Sequence, residues 1–222
     1  MQQTPAHEGY NADLLAMVPQ HMARVVEVGS SSGALAKQYK RLCPNSRYIG
    51  IEIDPHYAAL SKRFCDEVLC ADIEGIEDST FRSLFPSDCW IFGDSLEHLR
   101  DPWALLKRIR PHLGSGSSVV ACIPNAQHWS VQARLNCGML HYEDSGLLDR
   151  THLRWFTRLT IIELFQSAGF RIVDAASRVF NEPERDKVYE AIRLMAKSIG
   201  SDPEQAVADC MPLQYVVRAV PA

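Results

Sequence analysis

The run Val25-Val26-Glu27-Val28-Gly29-Ser30-Ser31-Ser32-Gly33 constrains this chain more than any other segment. β-Branched residues surround an acid, two glycines bracket small residues, and a helical pattern starts at Ala34. A strand that feeds a glycine turn and then a helix brings bare backbone close to a ligand. The next β-rich run, Tyr48-Ile49-Gly50-Ile51-Glu52-Ile53, carries a second acid near its end. Glu52 follows the turn by about 20 residues, the separation at which nucleotide-binding sheets place the carboxylate that holds a ribose. Together the two segments predict a nucleoside-bearing cofactor over the first two strands.

The rest of the chain continues the same punctuation. Arg24–Val28, Arg47–Ile53, Glu67–Cys70, Cys89–Gly93, Ser118–Ile123, Phe170–Ala175 and Gln214–Val220 read as strands. Helical stripes lie between them: Leu35, Tyr39 and Leu42; Leu60 and Phe64; Ile161, Leu164, Phe165 and Ala168, closed by Gly169. A short leading helix is predicted over residues 11–19, with Leu14, Leu15 and Val18 on one side and Pro19 as its stop. Asp101-Pro102 supplies an N-cap followed by Pro at the first helical position. Strands alternating with helices predict a parallel sheet covered on both faces, an α/β fold. One domain over residues 1–222 is expected. A segment of roughly 181–212 separates the last two strands where a hairpin needs only a few residues. Val188, Ile192 and Met195 space one helix in it, and Asp202-Pro203 opens another. This insertion could cover a substrate mouth, mediate a homodimer or patch the core.

Composition narrows the partners. With 222 residues and 46% hydrophobic content the chain can bury a sizeable core. A net charge of −4 argues against a nucleic-acid surface, which would show a basic face. Seven cysteines without paired or metal-like spacing point to reduced thiols in a cytoplasmic protein. No basic-plus-apolar leader follows Met1, and no apolar run approaches a membrane span.

The turn also discriminates among cofactors. Gly29 and Gly33 lack the spacing of G-x-G-x-x-G, and no Lys is present for a P-loop. Glu27 would repel a pyrophosphate but suits a cationic ligand. Glu27-x-Gly29-x-Ser31-x-Gly33 resembles motif I of the class I methyltransferases that use S-adenosyl-L-methionine (AdoMet), with Ser31 in place of the usual middle glycine. Three further segments resemble the family's motifs in order: Gly50 to Pro55, Cys70 to Glu74 and Phe92 to Leu99. The resemblance covers roughly residues 10–180. It implies a Rossmann-like, doubly wound seven-stranded sheet, mostly parallel with the last strand antiparallel. It also implies that Glu52 grips the ribose hydroxyls, beside Ile53. Asp72 would accept from the adenine amino group, Ile73 would pack on the ring, and Asp94 would sit beside the sulfonium.

The acceptor side falls after the fifth strand. A block from Gln127 to Thr157 concentrates His, Trp, Arg and acids: His128, Trp129, Arg134, His141, Tyr142, Arg150, His152, Arg154 and Trp155 among them. Aromatics shape pockets and polar tips orient ligands. The block resembles a bacterial subgroup with similar segments, often found in polysaccharide or natural-product pathways, and Thr151-His152…Phe156 is similar to the ubiquinone-pathway O-methyltransferases. The acceptor is therefore expected to be a small molecule or a glycan. His152 is the first candidate base and His128 the second; Trp129, His141, Tyr142, Arg150 and Arg154 are candidate acceptor contacts. The other histidines, His7, His21, His56 and His112, read as surface or packing residues. Asp94, Glu97 and His98 share one helical face at i, i+3 and i+4 and would suit a divalent cation, although metal-free relatives also carry Glu-His-Leu there, and no metal is expected. Two other readings remain at this level: a nicotinamide-dependent oxidoreductase, and a partner protein that binds AdoMet without turnover.

Overall fold

In the computed structural model, which describes residues 9–183 and 185–222, short polar side chains decide where the helices begin. Asn11 accepts from the amides of Asp13 and Leu14 and opens α1 (Ala12–Met17). Three helices start at Asp-Pro pairs. Asp54 caps α3 (Pro55–Ser61), Asp101 caps α5 (Pro102–Ile109) and Asp202 caps α9 (Pro203–Cys210). Pro at the first helical position leaves no amide to satisfy and already holds a helical φ. Thr157 and Thr160 cap each other's amides at the head of α7 (Arg158–Ser167). The remaining helices are α2 (Ala34–Leu42), α4 (Asp78–Ser83), α6 (Trp129–Asn136) and α8 (Arg185–Ser198).

The strands β1 (Arg24–Val28), β2 (Arg47–Glu52), β3 (Glu67–Cys70), β4 (Cys89–Gly93), β5 (Ser118–Pro124), β6 (Phe170–Arg178) and β7 (Gln214–Pro221) form one sheet in the order β3-β2-β1-β4-β5-β7-β6. β1 to β5 are mutually parallel, and β7 runs antiparallel to both β5 and β6. This is the Rossmann-like arrangement. Strand side chains alternate between two cores, as the two-residue period of a strand requires. Val26, Ile49, Trp90, Phe92, Val119 and Val217 face α5 and α7; Val25, Tyr48, Ile91, Val120 and Val216 face α1 and α2.

Each predicted strand forms; β1, β3 and β4 keep the predicted bounds, and the others shift at one end by one to three residues. β2 stops at Glu52, one residue early, and leaves Ile53 half exposed; β6 runs three residues further, to Arg178. Two stripe residues differ from expectation. Leu42 is exposed at the end of α2, and Phe64 lies past α3. His21, His56 and His112 are exposed, and His112 stacks on Phe85 at 4.6 Å; His7 lies outside the described residues. The seven cysteines are all free thiols. No helix among the described residues is long and apolar enough to cross a membrane.

The segment between β6 and β7 folds as α8 and α9 around a small core of Tyr189, Ile192, Val207 and Cys210, joined by Trp129. Met195 faces outward there; Tyr189 takes the inner position instead. Asn125, at the end of β5 and fully buried, fastens this unit. Its Nδ2 donates to the carbonyls of Asp209 and Pro212, both at 2.8 Å.

Candidate functional site

Strand order reverses between β1 and β4, and an open α/β sheet leaves a crevice at the carboxyl ends of the strands there. A cleft of about 690 Å³ occupies this place, with the Gly29 to Leu35 turn, Glu52, Asp72 and Asp94 among its walls. The turn needs its glycines. Gly29 and Gly33 both sit at φ 78°, and a Cβ on Gly33 would stand 3.0 Å from Ser61 Cα. Ser31, in the middle, also takes a left-handed φ of 47°. That conformation costs an L residue about 1–2 kcal/mol. The amide of Ser31 is thereby turned to donate to Glu52 Oε2 at 2.7 Å, while Asp54 N–H donates to Oε1 at 3.0 Å. Two backbone amides thus hold the Glu52 carboxylate, 95% buried, at the end of β2.

Glu27 lies on the opposite side of the turn. Tyr48 donates to it at 2.9 Å, yet burial pushes its pKa up to about 8. A buried neutral acid in a cleft wall is a place where a positive group gains by ionising it. Asp72 accepts from Glu74 N–H and pairs with the exposed Arg100 at 2.8 Å. Ile73, its neighbour, is buried in the wall, and half-exposed Ile53 lines the cleft beside it. Asp94 sits at a left-handed φ of 52° and receives a hydrogen bond from Gln214. The cleft also contains residues that the motifs do not flag: Tyr10, Leu14 and Tyr57. Tyr10 and Leu14 belong to the N-terminal helix and its approach, and no local pattern shows that this helix leans over a sheet edge.

Beside the cleft the 149–154 loop folds onto the 3-10 turn Leu96–His98, because Glu97 O accepts from the amides of both Leu153 and Arg154. His98 and Thr151 therefore share the cleft wall, and the His152 ring packs edge-on behind His98 at 4.8 Å. Burial pulls both histidines below the usual imidazole range, so both are neutral at pH 7. Glu97 is 99% buried, and burial, then Asp94 and Asp149, push its carboxyl well up.

The other candidates lie away from the cleft. His128 is buried and caps α6, accepting from Ser130 N–H, with burial lowering its pKa. Trp129 donates to Glu182 at 2.6 Å in the small core under α8. His141 and Tyr142 are exposed, Arg150 pairs with Asp144 at 2.7 Å, and Arg154 donates to Arg100 O. None of these six lines the cleft.

Residues 6–175 match the model of a protein family described as "Methyltransferase domain". A comparison with curated proteins finds no match. Among solved structures the chain is similar to a SAM-dependent methyltransferase of Thermotoga maritima, a possible histamine N-methyltransferase. The identity is 16% and the TM-score 0.61, over 93% of this chain and 84% of that one. It is similar to an O-methyltransferase from a polyketide synthase multienzyme of Brevibacillus brevis, solved with S-adenosyl-L-homocysteine. There the identity is 14% and the TM-score 0.60, over 94% and 70% of the two chains. The mitomycin 7-O-methyltransferase MmcR shares 15% identity at a TM-score of 0.57, with 94% of this chain covered. This chain spans only about half of that protein, 52%.

Proposed function

The chain belongs to the methyltransferase domain family, and from that premise we propose that it methylates a hydroxyl of a small molecule or glycan with AdoMet as donor. The observation that carries this reading is the cleft at the strand reversal, where the Gly29–Gly33 turn presents its backbone beside the buried Glu52 carboxylate. The residues present fit AdoMet. Glu52 keeps free lone pairs on both oxygens for the two ribose hydroxyls. Asp72, with Ile53 and Ile73 in the same wall, takes the adenine. Glu27, Gly29, Ser31 and Gly33 border the cationic amino-acid end, and Asp94 stands on the acceptor side. When bound, the cofactor supplies a methyl group already activated on a sulfonium.

The protein then has to align the acceptor oxygen in line with that methyl carbon, a contribution of roughly 7–11 kcal/mol in favourable cases. A hydroxyl must also lose its proton as it attacks. His98, neutral in the wall and backed by His152, receives it, a role worth roughly 10²–10⁴-fold. Of the two, His98 reaches the cleft, and His152 orients it from behind. His128, as a helix cap, does not take part. The O-methyltransferases among the solved structures support oxygen as the acceptor atom, and the net charge of −4 argues against nucleic acid. We read residues 1–222 as one domain, with the α8–α9 unit at its acceptor end.

Calorimetry with AdoMet and S-adenosylhomocysteine tests the cofactor. Micromolar 1:1 binding is expected. Glu52→Ala removes hydrogen bonds to a carboxylate worth about 1.5–3 kcal/mol, so binding should weaken by about tenfold or more. Absence of binding by folded wild-type protein sinks the reading, and unchanged affinity in the variant moves the ribose elsewhere.

A further inference from the structure

The Glu97 carboxylate presents a problem that methyl transfer does not explain. Both of its oxygens are buried and neither has a hydrogen-bond partner. A buried carboxylate left in that state is costly, and a native structure rarely keeps one without a purpose. Two imidazoles stand next to it. One nitrogen from each of His98 and His152 and one oxygen of Glu97 all lie within 4.8 Å of one another, and His152 Nε2 is 4.0 Å from Glu97 Oε1.

The tautomers of both rings follow from their other nitrogens. His98 Nδ1 lies 3.2 Å from the carbonyl of Thr151, and His152 Nδ1 lies 3.3 Å from the carbonyl of Leu147. A carbonyl only accepts, so each Nδ1 carries the proton and each Nε2 keeps a lone pair. The Thr151 hydroxyl, 3.0 Å from His98 Nδ1, spends its own proton on Asp149 Oδ1 at 2.6 Å and so agrees with this assignment. An imidazole whose second nitrogen donates to a backbone carbonyl is the usual arrangement around a metal-binding histidine. The surroundings are acidic as well, since Asp94 and Asp149 both act on Glu97 electrostatically.

We propose that Glu97, His98 and His152 form a binding site for one first-row transition dication, such as Zn²⁺ or Co²⁺. Two nitrogens and one oxygen suit ions of borderline softness; Mg²⁺ and Ca²⁺ prefer oxygen throughout. Donors 2.0–2.1 Å from a tetrahedral Zn²⁺ stand roughly 3.4 Å apart, so modest inward rotation of the three side chains closes the site. His98 lies in the cleft wall, so the ion would sit on the acceptor side. There it replaces the two imidazoles in lowering the pKa of an acceptor hydroxyl, because their lone pairs become ligands. The site rests on the geometry of these three residues and not on the identity of the acceptor.

The test reads binding and not turnover, which separates its failure from failure of the methyl-transfer reading. The full chain is stripped with chelator, dialysed and titrated with ZnCl₂, CoCl₂ and MgCl₂ by calorimetry. Co²⁺ is also followed by its visible ligand-field absorption. One equivalent of Zn²⁺ and Co²⁺ should bind, with Mg²⁺ at least about 100-fold weaker. Glu97→Gln, nearly isosteric, and His152→Gln should each weaken Zn²⁺ by about 100-fold or more, beyond the 10–100-fold typical of residues that only support ligands. Exposed His56→Gln should change nothing. Circular dichroism checks the fold of each variant. The proposal is overturned if folded wild-type protein binds no stoichiometric Zn²⁺, if Mg²⁺ binds as tightly, or if both site variants bind like wild type.

Discussion

Glu27 shows at the scale of a single residue how burial changes chemistry. In the unfolded chain its carboxyl titrates near 4.5, and in the fold near 8. Between those values the folded chain holds a proton that the unfolded chain has released. Stability contributed by the protonated form is therefore complete below about 4.5 and is lost as pH rises toward about 8. Glu27→Gln abolishes this titration, so its melting temperature should gain on wild type steadily as pH rises across that window. A pH-independent difference between the two proteins, measured by calorimetric scans, would show that Glu27 is ionised in the fold. Both Glu27 and Glu52 were legible as acids at strand ends, because a strand's period and a glycine turn are local patterns. That Ser31 would adopt a left-handed φ and turn its amide onto Glu52 was visible only as a missing glycine. That Tyr48 would donate to Glu27 depends on strand pairing, which brings Gly50 opposite Glu27 and puts both of those side chains in the same core.

Local signals located the elements well and their tasks poorly. Asp-Pro pairs, β-branched runs and glycine stops are short-range devices, so strand and helix ends came within a few residues. The His- and Trp-rich block read as an acceptor site because its composition is unusual, yet the fold divides it. His152 packs behind His98, which lines the cleft, whereas His128 caps α6 and Trp129 packs under α8. The reason is the insertion, whose α8 and α9 need a partner for their apolar faces and find it in α6. Asn125 is the fastener. Asn125→Ala strands the Pro212 carbonyl and the amide of Gln127, which donates to Oδ1 at 3.0 Å, and leaves the Asp209 carbonyl to the Tyr215 hydroxyl. Each unsatisfied buried group costs about 1–3 kcal/mol. Limited proteolysis should cut the variant faster within 181–212, and a digestion pattern identical to wild type would mean that α8 and α9 are held by other contacts.

For the whole molecule, ligand and fold stability are linked. A cofactor that binds only the folded chain adds about 2.7 kcal/mol at a hundred times its dissociation constant, and in a chain of this size each kcal/mol moves the melting point by about 2–4 °C. Thermal scans should therefore rise by several degrees with saturating AdoMet and by much less in Glu52→Ala; equal shifts in both would place the ligand away from β2. The sequence by itself determined the α/β class, the strand positions and the place of Glu27 and Glu52 in the cleft, because all of these follow from periodicity and from acids at strand ends. Tertiary structure alone decided which histidines meet. His98 and His152 are 54 positions apart, and long-range hydrogen bonds bring them together, from Leu153 and Arg154 to Glu97 O and between His98 Nδ1 and Thr151. It also decided that Asp94, which shares a helical spacing with Glu97 and His98, turns to Gln214 instead, because the chain there forms a left-handed bend and a 3-10 turn where an α-helix would have aligned all three. Contacts between distant segments leave no periodic trace in a sequence, and the Glu97–His98–His152 cluster is built from such contacts.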